Sequence, residues 1–230
     1  MKTSLAVILS VALLVSTGCG PAPANMSAPD PQPYGQNAQT SHAALPTPTA
    51  AGQPYDFYLL NLSWSPEFCF SHRDSPECAA HPGFVVHGLW PQNNDGTYPE
   101  HCPSRPGPTS DAAWQGLLPT ASLAQHEWQT HGTCTPYDAG AYFSLIRRAF
   151  GEVRIPPAFT SGTSPAMQPP DAIVDSFARI NPGFPANSIA LSCGHNYLTA
   201  IEICFDKSLN PIACQAIRSY RANAVKITPR

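Results

Sequence analysis

Charge is scarce in this chain: only 12% of its 230 residues are Asp, Glu, Lys or Arg, with 12 basic against 15 acidic side chains. A mildly acidic protein is a poor candidate for tight, salt-driven binding to nucleic acid, although an enzyme that holds a few nucleotides and releases them is still allowed. There is no glycine-rich phosphate loop and no internal repeat. Beyond the first 20 residues no apolar run is long enough to cross a membrane.

The exception is the start, "MKTSLAVILSVALLVSTGCG". Lys2 followed by a short apolar run and small residues reads as an export signal over 1–19. "STGC" resembles a bacterial lipoprotein processing site, at which Cys19 would be lipidated and the chain attached to a membrane. Cleavage after "APA", before Asn25, would instead release a soluble secreted protein. The expected location is therefore outside the cytoplasm: periplasmic, anchored at the outer membrane, or secreted.

From 20 to 53 the chain is Pro, Ala, Ser, Thr, Asn and Gln with almost no charge. Such a segment cannot bury enough apolar surface to offset the entropy of ordering it, so it reads as a disordered linker. A flexible linker of that length spans on the order of 30 Å. What remains, 54–230, is the length of one domain with one core, and a monomer is expected.

Seven cysteines lie beyond the leader: Cys69, Cys78, Cys102, Cys134, Cys193, Cys204 and Cys214. In an exported protein they read as disulfides before zinc ligands, with one thiol left over. Alternation and β-branched or aromatic content predict strands at 55–64, 83–90, 187–193, 197–205 and 224–228. Between them, Asp111 could cap a helix over 112–118, Ser122 could begin one over 123–131, Asp138 could cap 139–150 and Asp171 could open 172–180. Strands at both ends with helices between predict an α+β fold, a central antiparallel sheet flanked by helices.

"HEWQTHGTC", His126 to Cys134, looks at first like a zinc-protease helix. That motif needs two His four residues apart on one helix face, and here the separation is five. With His126 at 0°, a helix places Thr130 near about 40°, Glu127 near about 100° and His131 near about 140°. The arc is too wide for two ligands of one ion, but it suits holding an extended anion and moving protons on it. Trp128, on the far side, would face the core, and Gly132 suits the helix end. Satisfied surface histidines are the plain alternative.

In "FVVHGLWPQ", Phe84 to Gln92, His87 interrupts an apolar strand, Gly88 allows close backbone approach and Trp90 with Pro91 stiffens the exit. "HGLWPQ" and "HEWQTHGTC" together resemble the two active-site segments of the ribonuclease T2 family of acid endoribonucleases. The resemblance extends to "YDFYLLNLSWSPEFC", "NNDGTYPEHC" and "LTAIEICFDKSLNPIAC" and covers the chain from about Tyr55 to its C-terminus.

The resemblance implies cleavage of single-stranded RNA by attack of the 2′-hydroxyl on the adjacent phosphorus, giving a 2′,3′-cyclic phosphate, without metal or cofactor. DNA, lacking that nucleophile, would be untouched. It implies His131 as general base, His87 as general acid, His126 as phosphate ligand and Glu127 as a group steadying the charged intermediate. Trp90, Tyr98 and Gln92 fall where the family contacts a base. Thr130 departs from the family's usual Lys, exchanging an ammonium for a neutral hydrogen bond, a loss of roughly one to two orders of magnitude unless an Arg compensates. The implied disulfides are Cys69–Cys78, Cys102–Cys134 and Cys204–Cys214, leaving Cys193 free. An acidic optimum is expected, because one imidazole must begin protonated. Two rivals remain: a noncatalytic RNA- or glycan-binding relative of the same fold, and a zinc hydrolase.

Overall fold

The even-numbered side chains of β1 (Phe57–Trp64), Tyr58, Leu60, Leu62 and Trp64, are all buried. They point into the main core, the period-two pattern of a strand backed by apolar layers. The odd face begins apolar with Phe57 and Leu59, which join a smaller cluster with Cys204, and turns polar at Asn61 and Ser63. That change along one strand positions everything that follows. The computed structural model describes residues 44–80 and 82–230; the expected export signal, Cys19 and positions 20–43 of the expected linker lie outside the described residues.

After β1 come α1 (Ser65–Ser71), β2 (Phe84–Gln92), α2 (Ala121–Thr130), α3 (Ala139–Gly151), α4 (Pro157–Thr160) and β3 (Met167–Gln168). They are followed by α5 (Pro170–Ile180), β4 (Ile189–Gly194), β5 (Tyr197–Phe205) and β6 (Val225–Lys226). The sheet order is β2-β1-β5-β6-β3, and β4 pairs with β5. Pairings are antiparallel except for one parallel contact of β5 with β6 through Tyr197 and Lys226. The fold is thus the expected α+β arrangement, a central sheet with helices against it.

On the core side, α3 lays Tyr142, Phe143, Leu145, Ile146, Ala149 and Phe150 against β1 and β2. Each large side chain so buried contributes about 1.5–3 kcal/mol. Asp138 caps this helix as expected, accepting from the Ala141 N–H at 2.8 Å. Phe84 and Phe159 pack against Trp64, and Phe177 against both of them, joining β2, α4 and α5 to the same core.

Three local expectations change. Residues 112–118 do not form a helix: a single 3-10 turn at Asp111–Ala113 is capped by Ser110 and closed by Trp114, and the turn that follows places Gly116 at φ +67°. Helices α1 and α4 occur where none was expected. The linker's last stretch is tied to the domain: Leu45 packs on the core, the Thr49 and Ala50 N–H groups donate to the Pro136 carbonyl at 2.7 and 3.0 Å, and Gln53 donates to Cys134 at 2.9 Å. Composition signals missing hydrophobic drive but does not exclude backbone bonds to a neighbouring loop.

Candidate active site

Asn61 pairs with Gly88, but the next residue along β1, Leu62, pairs with Val86. His87 is therefore the extra residue of a β-bulge, a device that re-aims a side chain out of the alternation. Its imidazole, 37% exposed, turns toward the polar face of the sheet beside Asn61 and Ser63. The neighbouring Gly88 is needed for a different reason. A Cβ there would lie 1.8 Å from Glu127 Oε2, so only glycine lets that carboxyl reach the strand.

Glu127 comes from α2, which Thr120 caps by accepting from the Leu123 N–H at 3.1 Å; the helix starts before Ser122. It ends at Thr130, with His131 as the C-cap residue. Gly132 follows for packing space: a Cβ would sit 2.3 Å from the Trp128 ring. Trp128 is buried as expected, His126 is exposed, and Glu127, Thr130 and His131 are buried on the side facing β2.

The two segments meet at Glu127. Its Oε2 accepts from Trp90 Nε1 at 2.8 Å, and its Oε1 lies 3.4 Å from His87 Nε2 without an aligned hydrogen bond. The Trp90 ring packs against the His131 ring, centroids 5.2 Å apart, and His126 stands edge-on to His131 at 6.5 Å. His131 Nδ1 is buried with no hydrogen-bond partner among the described residues. Among those residues no group of three or more His, Cys, Asp or Glu is placed to hold a metal ion.

Burial dominates the electrostatics. It pushes the His87 imidazole down to about 4, with the charge of His126 adding to the effect. It pushes His131 down to about 3, helped by His126, His87 and His101. Glu127 is raised to about 8 by burial, partly opposed by the Trp90 hydrogen bond. At neutral pH His87 and His131 are thus neutral and Glu127 is protonated, a set that an arriving anion would polarise.

The remaining candidates are spread out. Thr130 Oγ1 lies 3.5 Å from His126 Nδ1. Gln92 is buried at the end of β2, paired with Phe57, while Tyr98 is half exposed on the following loop. Arg105 does not make up for the missing cation at Thr130. Its guanidinium donates to the carbonyls of Thr135, at 2.7 Å, and Tyr137 and lies over the Trp128 ring.

The bridges Cys69–Cys78, Cys102–Cys134 and Cys204–Cys214 are all formed, and Cys193 is free. The middle bridge ties the loop after β2 to the end of α2. His101, which the motif reading passed over, donates its N–H to the Thr130 carbonyl at 2.8 Å. Its place beside Cys102 was the available signal. Tyr142 was also missed; it supports β2 from below by donating to the Leu89 carbonyl at 3.0 Å.

With this geometry in hand, comparison with known proteins is specific. A family model described as the ribonuclease T2 family matches residues 55–214. A ribonuclease of Aeromonas hydrophila is 45% identical over 83 residues, 35% of this chain and 38% of that protein. A probable ribonuclease of Haemophilus influenzae is 30% identical over 186 residues, 72% of this chain and 63% of that protein. Both alignments thus span less than two thirds of the relative. An RNase-related protein from Calystegia sepium superposes with a TM-score of 0.61 at 23% identity, over 77% of this chain and 98% of that one, a likeness of fold.

Proposed function

Because the chain belongs to the ribonuclease T2 family, we propose that it is an endoribonuclease, cutting single-stranded RNA by transphosphorylation between His131 and His87. The observation that carries this reading is the convergence of a bulge histidine, a helix-end histidine and a buried carboxyl around the Trp90 ring. His131 takes the proton of the 2′-hydroxyl as its oxygen bonds to phosphorus. The bond from phosphorus to the 5′-oxygen breaks, and His87 supplies that oxygen's proton. The product is a 2′,3′-cyclic phosphate, which water then opens slowly.

The depressed pKa values fit an anionic substrate. A phosphodiester beside a ring stabilises its protonated form and draws the pKa back up, so His87 is charged when substrate is bound and the optimum is acidic. Glu127, protonated in the empty site, has Oε1 free of aligned partners and can donate to a phosphorane oxygen as negative charge develops there. His126 at the mouth holds the phosphate, and Thr130 adds one neutral hydrogen bond. Trp90, with Tyr98 and Gln92 beyond it, contacts the base.

We further propose an exported monomer, either lipidated at Cys19 or secreted; no described helix is long and apolar enough to cross a membrane. The test of function is digestion of RNA with EDTA present from pH 4 to 8, with analysis of product ends. Cyclic phosphate ends, untouched DNA, and losses of about 10²- to 10⁴-fold in His87→Ala and His131→Ala are expected. Full activity in either variant, or 5′-phosphate ends, would refute the assignment.

A further inference from the structure

His131 is placed by its backbone more than by its ring. Its Nδ1 has no hydrogen-bond partner among the described residues, so beyond its packing on Trp90 the imidazole goes where the turn after α2 carries it. That turn is held along its whole length, because every carbonyl from His131 to Tyr137 accepts a hydrogen bond. Those of His131 and Gly132 are taken within the turn, by the N–H groups of Cys134 at 3.1 Å and Thr135 at 3.0 Å. Arg105 donates to alternate ones beyond them, Thr133 at 3.4 Å, Thr135 at 2.7 Å and Tyr137.

The two carbonyls in between are taken by the end of the expected linker. The Gln53 N–H donates to Cys134 at 2.9 Å, and the Thr49 and Ala50 N–H groups both donate to Pro136. The approach is close: a Cβ on Gly52 would lie 2.7 Å from the Pro136 nitrogen and 3.0 Å from the Cys134 carbonyl oxygen, so only glycine fits there. Leu45 anchors the other end of the stretch on the main core. Two backbone bonds in series thus join it to the proposed general base, Gln53 N–H to the Cys134 carbonyl and Cys134 N–H to the His131 carbonyl. These residues lie ahead of the family match, which begins at 55.

Building on the nuclease reading, we infer that residues 44–53 are a positioning strap for His131, holding the Cys134 and Pro136 carbonyls so that the end of α2 presents the ring to the 2′-hydroxyl. The Cys102–Cys134 bridge holds the turn at one side chain, whereas the strap and Arg105 hold its peptide planes from two sides. Placement matters steeply at a reacting group, where a shift of about 1 Å costs about 10²-fold in rate. The strap's backbone donors reach the turn and not Trp90 or His126, so its loss should appear in kcat rather than in KM.

The test uses the full chain and a dinucleoside monophosphate, assayed well below Tm. Gly52→Val forces side-chain atoms against the Pro136 backbone and should lift the strap from the turn, while Leu45→Ala loosens its anchor without a clash. We expect kcat to fall by roughly ten- to a hundredfold in Gly52→Val and by roughly a few-fold in Leu45→Ala, with KM within about twofold of wild type in both. The strap should also fall silent once its target is gone: in a His131→Ala background, Gly52→Val should slow the residual reaction no further. A strap that served stability alone would lower Tm and leave kcat intact at that temperature. Wild-type kcat in both variants, a rise in KM alone, or the same fractional loss with and without His131 would each overturn the inference; if Gly52→Val does not fold, Leu45→Ala decides. Full activity in His131→Ala would instead remove the nuclease reading, and this assignment with it.

Discussion

The histidine cluster and the groove beside it share a wall, His87 and Trp90, yet they are built by opposite means. In the cluster the backbone dictates position: a bulge aims His87, a glycine admits Glu127, and a disulfide pins the end of α2. Every group there except His126, the half-open His87 and the half-buried Trp90 is shut away from water. The groove, about 720 Å³ along the polar face of the sheet, gathers side chains from α1, β1, β4 and β5 and stays open. Fixed dipoles stabilise developing charge only if they are already in place, and only the first arrangement holds its groups in one predetermined geometry. The contrast is between groups positioned by the backbone and an open face assembled from separate elements.

The cluster's dependence on backbone is most exposed to Gly88→Ala. The new methyl needs the space held by Glu127 Oε2, 1.8 Å away, and Trp90 Nε1, 2.7 Å away. Overpacking of this kind costs about 1–3 kcal/mol, and a displacement near 1 Å at reacting groups costs about 10²-fold in rate. We expect a folded protein with a lower Tm and about a hundredfold loss of kcat. Wild-type kcat in this variant would show that the cluster tolerates movement and that the contrast is overdrawn.

A smaller effect, of opposite sign, is expected from Thr130→Lys. Neither half of the site contains a permanent cation, since Arg105 is engaged elsewhere. An ammonium beside His126 would hold the phosphorane through a charged hydrogen bond, raising kcat/KM by about tenfold or more. Because position 130 is buried, Tm should fall as activity rises. Unchanged kcat/KM would mean that another group already neutralises the charge.

The same contrast governs what the amino-acid sequence makes legible. β1, β2, β4 and β5 are readable because a strand against a core alternates, and His87, Glu127 and His131 because they sit in two short stretches. The bulge is not readable: nothing in "FVVHGLW" says which residue leaves the ladder until β1 supplies the register. Helix α1 buries only Ser65 fully, so it has no apolar stripe to reveal it. The groove is hidden for a related reason, since Phe68 and Glu202 are 134 positions apart and line one groove only when β1 and β5 pair.

The last prediction measures how firmly the cluster resists solvent, through stability against pH. His87 and His131, held at about 4 and about 3, sit below the ordinary imidazole value near about 6.5. The unfolded chain therefore takes up protons that the native site refuses, and stability falls as pH drops below about 6.5. Glu127, held at about 8, does the reverse. Its unfolded form releases a proton above about 4.3 that the native form keeps, so stability falls as pH rises toward 8. Between about 4.3 and 6.5 the slopes oppose and two histidines outweigh one carboxyl; above about 6.5 only Glu127 acts. Glu127→Gln should therefore flatten the fall in Tm from pH 6.5 to 8, a change of a few degrees for a domain this size, and leave the acid limb in place. An equally steep decline in wild type and variant over that interval would mean that Glu127 is already ionised in the native protein. It would then be paired with a charged His87, 3.4 Å away.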